Sequence, residues 1–134
     1  MPVSKAPHWS LKQVKKALAH GGLELTERRA IDPLIQQEAG VVDRRSAVAH
    51  VTAIVHGLKG TDFSHTVRAM QNISDVYGVQ VGGRDWWIKL TLQQGEGASK
   101  GPGRVTKAQQ VLVISFHPPE REFKTVGGLE LKPW

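Results

Sequence analysis

The chain has no cysteine among its 134 residues. Disulfides, thiolate-ligated metals and cysteine nucleophiles are therefore excluded. It also lacks any run of about 20 apolar residues, the length a bilayer-spanning helix needs. Its opening, Met1-Pro2-Val3-Ser4-Lys5, leads into a basic amphipathic segment and not into the apolar core of a signal peptide. The expectation is a cytoplasmic protein with no membrane segment. No internal repeat is visible, and without cysteines or a carboxylate–histidine cluster no metal site is expected. Gly95-x-Gly97 and Gly101-x-Gly103 echo phosphate loops, but they complete no Walker pattern and no helix follows them, so no nucleotide or other cofactor is expected either.

What is present is the composition of an ordinary globular domain, 40% hydrophobic and 22% charged. One domain covers 1–134. The net charge of +6 fits a polyanionic partner, nucleic acid or an acidic protein, because neutralising phosphates releases counterions.

The first half reads as helical. Ser10 is a helix cap with Gln13 as its capping-box partner, Leu11, Val14 and Leu18 form an apolar stripe, and Gly21-Gly22 closes the helix. A second helical segment, 26–38, can start at Thr26 but must be kinked or divided by Pro33. Asp43 or Ser46 caps a third helix, in which Val48, Val51, Val55 and Leu58 share a face and Gly57 and Gly60 bracket the end. Residues 61–71 fit either a strand or a short helix.

From 74 to 92 the pattern is a β-hairpin around Gly82-Gly83, a dipeptide suited to a primed turn. A two-residue loop sets Val81 opposite Arg84, Val79 opposite Trp86 and Tyr77 opposite Ile88 on an apolar side. Gly78 opposite Trp87, Val76 opposite Lys89 and Ser74 opposite Thr91 make a polar side. Residues 93–110 read as a long flexible loop. The run Val111-Leu112-Val113-Ile114-Ser115-Phe116-His117 then reads as a strand buried on both faces, and Pro118-Pro119 stops it. An antiparallel return beside Trp86 to Leu92 predicts Val113, Ser115 and His117 on the side of Thr91, Lys89 and Trp87. Residues 118–134 form a C-terminal extension whose Val126, Leu129, Leu131 and Trp134 could dock.

In this order of motifs the chain resembles the MqsR toxins of bacterial toxin–antitoxin systems, mRNA interferases with a RelE-like fold. The resemblance covers roughly 6–117. It rests on Pro7-His8 with Leu11-Lys12-Gln13-Val14-Lys15-Lys16, on Gly57-Leu58 with Asp62-Phe63, and on Asp75-Val76-Tyr77. Ile88-Lys89-Leu90-Thr91 and Val111-Leu112-Val113-Ile114-Ser115-Phe116 complete it. It implies an α+β fold with N-terminal helices packed on one face of a small antiparallel sheet. The family's catalytic positions fall on His65, Trp87, His117 and Ser74. Relatives can carry lysine at the two histidine positions, tyrosine at the tryptophan and glutamine at the serine. The long loop and the C-terminal extension depart from the pattern.

The resemblance implies a metal-independent endoribonuclease that cleaves single-stranded mRNA at short specific sequences. Attack of the 2′-OH would leave 2′,3′-cyclic phosphate and 5′-OH ends, and a cognate, MqsA-like antitoxin would neutralise the toxin. His65 and His117 can divide the acid and base work, each proton transfer contributing about 10²–10⁴-fold. Lys89 or Arg84 would hold phosphate, and Trp87 would stack on a base. The remaining histidines are weaker candidates: His50 and His56 lack the spacing of a helical zinc pair, and His8 and His20 lie at helix ends. Two other classes fit the same surface, a non-catalytic RNA- or ribosome-binding module and a protein-interaction domain with an acidic partner.

Overall fold

Ser10 opens the first helix, α1 (Leu11–Gly21), by accepting from the Gln13 N–H, while the Gln13 side chain accepts from the Ser10 N–H. The computed structural model describes residues 6–69, 72–94 and 109–134. Val14, Ala17 and Leu18 form the buried face of α1, and Gly22 ends it at φ 77°, a conformation that favours glycine. Strand β1 (Leu23–Leu25) follows. A π-helical turn over Glu27–Ile31 then runs into helix α2 (Asp32–Gln37), whose first turn holds Pro33. The proline divides the segment as its missing N–H requires. Asp43 caps helix α3 (Arg44–His56) through a reciprocal pair of bonds with Ser46, and those bonds, backbone first, hold the Asp43 carboxyl below its ordinary range.

The ambiguous stretch 61–71 is a 3₁₀ turn at Gly60–Asp62 followed by strand β2 (Phe63–Arg68). Strands β3 (Ile73–Val81) and β4 (Arg84–Gln94) form the hairpin, with Gly82 and Gly83 at φ 61° and 79° as the two turn residues. Strand β5 is Gln109–His117, and two short strands, β6 (Phe123–Lys124) and β7 (Glu130–Leu131), pair with each other in the C-terminal segment. The main sheet has the order β1-β5-β4-β3-β2. Among the described strands, only the β1–β5 pair is parallel. The fold is α+β: the described residues form three α-helices and a mostly antiparallel five-stranded sheet. Among the described residues, no helix is long and apolar enough to cross a membrane. The part of the expected loop between 95 and 108, with its two glycine pairs, lies outside the described residues.

The predicted hairpin register is the observed one for Val81–Arg84, Val79–Trp86, Tyr77–Ile88, Gly78–Trp87 and Val76–Lys89. Tyr77, Trp86, Ile88, Leu90 and Phe116 face the helices and bury completely against Val14, Leu34, Val51 and Val55. One expectation is corrected. Ser115 and His117 do pair with Lys89 and Trp87, but Val113 pairs with Leu90 and lies in the core. A bulge at Ile114 inserts one residue, and a one-residue slip turns every side chain before it to the other face.

The C-terminal segment is docked on the side of the sheet away from the helices. A Cβ built on Gly78 would come within 2.5 Å of Leu131 and 2.9 Å of Phe123, so the strand must present a bare backbone there. Val126 and Gly127 donate their N–H groups to Phe63 and Thr61 carbonyls, which extends the β2 edge by a short stretch of chain. The end of the chain wraps round the hairpin, where Trp134 packs edge-on to Trp86 and donates to the Asp85 carbonyl.

Candidate functional site

The face of the sheet opposite the helices carries His65, Val76, Lys89 and Ser115 in one row across β2, β3, β4 and β5. Gly78, Trp87 and His117 form the next row. His65 reaches this face because β2 also bulges, between Phe63 and His65: Phe63 stays in the core and the imidazole turns outward. The Trp87 indole lies against both imidazoles, 5.5 Å from the His65 ring and 6.3 Å from the His117 ring between centroids, the latter nearly parallel at 11°. Phe123 of the docked C-terminal segment closes on Trp87 at 5.0 Å.

A cleft of about 270 Å³ opens beside the indole. Trp87, Lys89, Ser115 and His117 line it from the sheet, Arg29 from the π-helical turn, and Glu120 and Arg121 from the segment just after β5. Three cations and one carboxylate therefore surround a titratable ring.

The hydrogen bonds fix the state of that ring. His117 Nδ1 lies 2.7 Å from the Pro118 carbonyl, which can only accept, and Nε2 lies 3.0 Å from Arg29 Nη2, which can only donate. Both contacts are satisfied by one species, the neutral imidazole with its proton on Nδ1 and a lone pair on Nε2. Burial lowers the His117 pKa, with Arg29 and Lys89 acting the same way, against the opposing effects of the Pro118 carbonyl and Glu120. His65 resembles it. Its Nδ1 is 2.9 Å from Ser64 Oγ, whose own proton goes to the Lys124 carbonyl, so Nδ1 donates and Nε2 is the free basic atom. Burial again lowers its pKa, followed by Arg121 and Lys89.

The six predicted site residues divide into three groups. His117, Trp87 and Lys89 meet in the cleft. His65 stands on the other side of the indole, outside the cleft lining but in contact with Trp87. Ser74 and Arg84 are elsewhere: Ser74 is 2% exposed on β3 opposite Val67. The Arg84 guanidinium lies 4.7 Å over the Trp134 ring and bonds the Gln37 carbonyl at the end of α2. The sequence reading missed Arg29, Glu120 and Arg121. The only local signal was a pair of charges directly after the Pro-Pro stop, and nothing in the sequence ties them to an arginine about ninety residues earlier.

Among the described residues, no group of three or more His, Asp and Glu side chains is placed to hold a metal ion. The arrangement offers a cationic cleft large enough for a phosphodiester, two imidazoles with basic Nε2 atoms and a partly exposed indole. Comparison of the chain with family models, with curated proteins and with solved structures finds no match in any of the three.

Proposed function

We propose that the protein is a metal-independent endoribonuclease acting on single-stranded mRNA, a toxin of the MqsR type with a RelE-like fold, held in check by a cognate antitoxin. One observation carries the reading. Three strands of one sheet bring His65, Trp87, Lys89 and His117 together on a single cationic face, with both histidines in the neutral, Nδ1-protonated form.

The chemistry divides among these groups. A basic imidazole Nε2 takes the proton of a ribose 2′-OH, and the oxygen attacks the adjacent phosphorus. The P–O5′ bond breaks, and a protonated imidazole gives its proton to the leaving 5′ oxygen. The products are a 2′,3′-cyclic phosphate and a 5′-OH end. His117 and His65 share the two proton transfers. Lys89 offsets the added negative charge of the phosphorane in the half-buried cleft, where the interaction is stronger than in water. Trp87 presents its exposed part to a base, a contact worth about 1–3 kcal/mol in single-strand binders. Lysine relatives of the family would supply charge at the two positions held here by histidine. Histidine supplies proton transfer near neutral pH in its place.

The experiment is incubation of the purified protein with single-stranded RNA in excess EDTA. Cleavage with cyclic-phosphate ends, lost in His117→Ala, supports the enzyme. Salt-dependent binding without cleavage would make the protein an RNA- or ribosome-binding module. Toxicity on induction that a neighbouring gene relieves tests the toxin and antitoxin part of the reading.

A further inference from the structure

Nε2 of His117, the atom that the proposed chemistry needs, is covered. The Arg29 guanidinium donates to it at 3.0 Å and also reaches Glu120, with Nη1 3.4 Å from Oε2 and Nη2 3.5 Å from Oε1. No reactant oxygen can use a lone pair that already accepts an arginine proton. The contact that covers it is nonetheless an easy one to exchange. The Arg29 and Glu120 side chains are 54% and 67% exposed, and an ion pair so open to water holds its partners weakly. A planar guanidinium with two adjacent N–H donors matches two phosphate oxygens better than it matches one imidazole nitrogen and a distant carboxylate.

We propose that Arg29 is the phosphate clamp of this cleft, and that its contacts with His117 and Glu120 are its resting position. A phosphodiester entering the cleft takes the guanidinium away from both, and Nε2 of His117 is uncovered as it leaves. Glu120 is the competing anion that holds the clamp until substrate arrives. The groups that face His117 are Arg29 from the π-helical turn, Lys89 and Trp87 from β4, Ser115 from its own strand, and Glu120 and Arg121 from the segment behind it. Of the cations, Arg29 alone bonds both the imidazole and the carboxylate. The role given to Nε2 rests on the endoribonuclease reading, whereas the clamp itself needs only a phosphodiester.

A short single-stranded DNA oligonucleotide tests it, because it carries the phosphodiester and lacks the 2′-OH. Its Kd would be measured across a salt series for the wild-type chain, Arg29→Gln, Glu120→Gln, the double variant, and Glu122→Gln as a control for the loss of one nearby negative charge. Arg29→Gln is expected to weaken binding about tenfold or more, the scale of a hydrogen bond to a charged group. It should also flatten the slope of log K against log salt by about 0.7, the value for one phosphate contact on a single strand. Glu120→Gln tightens binding several-fold more than Glu122→Gln does, and this gain disappears when Arg29 is already glutamine. In ¹⁵N spectra, the oligonucleotide shifts the His117 Nε2 signal and raises the pH midpoint of that ring.

An Arg29→Gln chain with wild-type Kd and salt slope overturns the clamp. So does a Glu120→Gln gain that persists without Arg29. The two readings fail separately. If wild-type protein leaves RNA intact while the DNA results hold, the clamp stands and the nuclease reading falls. If Arg29→Gln cleaves RNA at the wild-type kcat/KM, the nuclease stands and the clamp falls.

Discussion

At the scale of single residues, the two histidines are kept neutral first by burial and then by the cations near them, and this has a measurable sign. The folded chain takes up the two protons only at pH values below the ordinary midpoint of about 6.5, where the unfolded chain already binds them. The stability tied to these rings is therefore complete above that midpoint and is lost as pH falls through the lowered folded values. Urea midpoints should drop between pH 7.5 and 5 in the wild type, and drop less in a His65→Gln, His117→Gln variant. NMR titration should place both midpoints below that of a free imidazole. Cleavage that needs one neutral and one protonated ring should show a bell-shaped pH profile with its maximum on the acid side of neutrality. A flat profile from pH 5 to 9 would remove the acid–base pair.

A third buried ionisable group has a structural role. Asp75 is completely buried and accepts from the His8 and Trp9 N–H groups, each at 2.9 Å, and from Thr66 Oγ1 at 2.6 Å. It thereby ties the start of the chain to the sheet, and Trp9 adds bonds from Nε1 to Ile73 and Thr91. Asp75→Ala leaves those donors unpaired and should cost roughly 2–3 kcal/mol in urea unfolding.

At the scale of elements, the hairpin was fully legible and its neighbours were only partly so. Gly82-Gly83 dictates the turn, the turn dictates the register, and alternation then assigns Trp87 and Lys89 to one face and Trp86 and Ile88 to the other. The helix caps at Ser10 and Asp43 and the break at Pro33 were equally local. Bulges are not. The extra residue at Ile114 leaves the composition of β5 unchanged, so parity carried Val113 to the wrong face while still placing His117 beside Trp87. The three-residue β1 is too short to leave a pattern of its own. Arg29, Glu120 and Arg121 could not be assigned to the cleft because only the fold brings them there.

The docking of the C-terminal segment on the sheet depends on the bare backbone at Gly78. Gly78→Ala pushes a methyl group into Leu131 and Phe123, and overpacking of this kind costs about 1–3 kcal/mol. The expected result is a lower melting temperature together with proteolytic cleavage after residue 118. Phe123 closes on Trp87, and Glu120 and Arg121 line the cleft, so the same variant should also weaken binding of a single-stranded oligonucleotide. Unchanged protease resistance would show that the sheet tolerates the methyl group.

At the scale of the whole molecule, a chain with a net charge of +6 places three cations around one small cleft on the face away from the helices. The helices complete the core on the opposite side and leave this face to the sheet and the C-terminal segment. Binding to single strands should fall steeply with salt, and most of the slope should belong to Arg29, Lys89 and Arg121. Arg84, engaged with Trp134 and Gln37, should contribute little when replaced by glutamine. The proposed endoribonuclease performs phosphodiester transfer with the side chains of this face alone. The direct measurement is the end chemistry of single-stranded RNA after incubation with the protein at pH 6.5 in excess EDTA, for the wild type and for His117→Ala. The expected result is 2′,3′-cyclic phosphate and 5′-OH ends from the wild type, and a rate at least about 10²-fold lower for the variant. RNA left intact by the wild type, or cut equally well by His117→Ala, would contradict it.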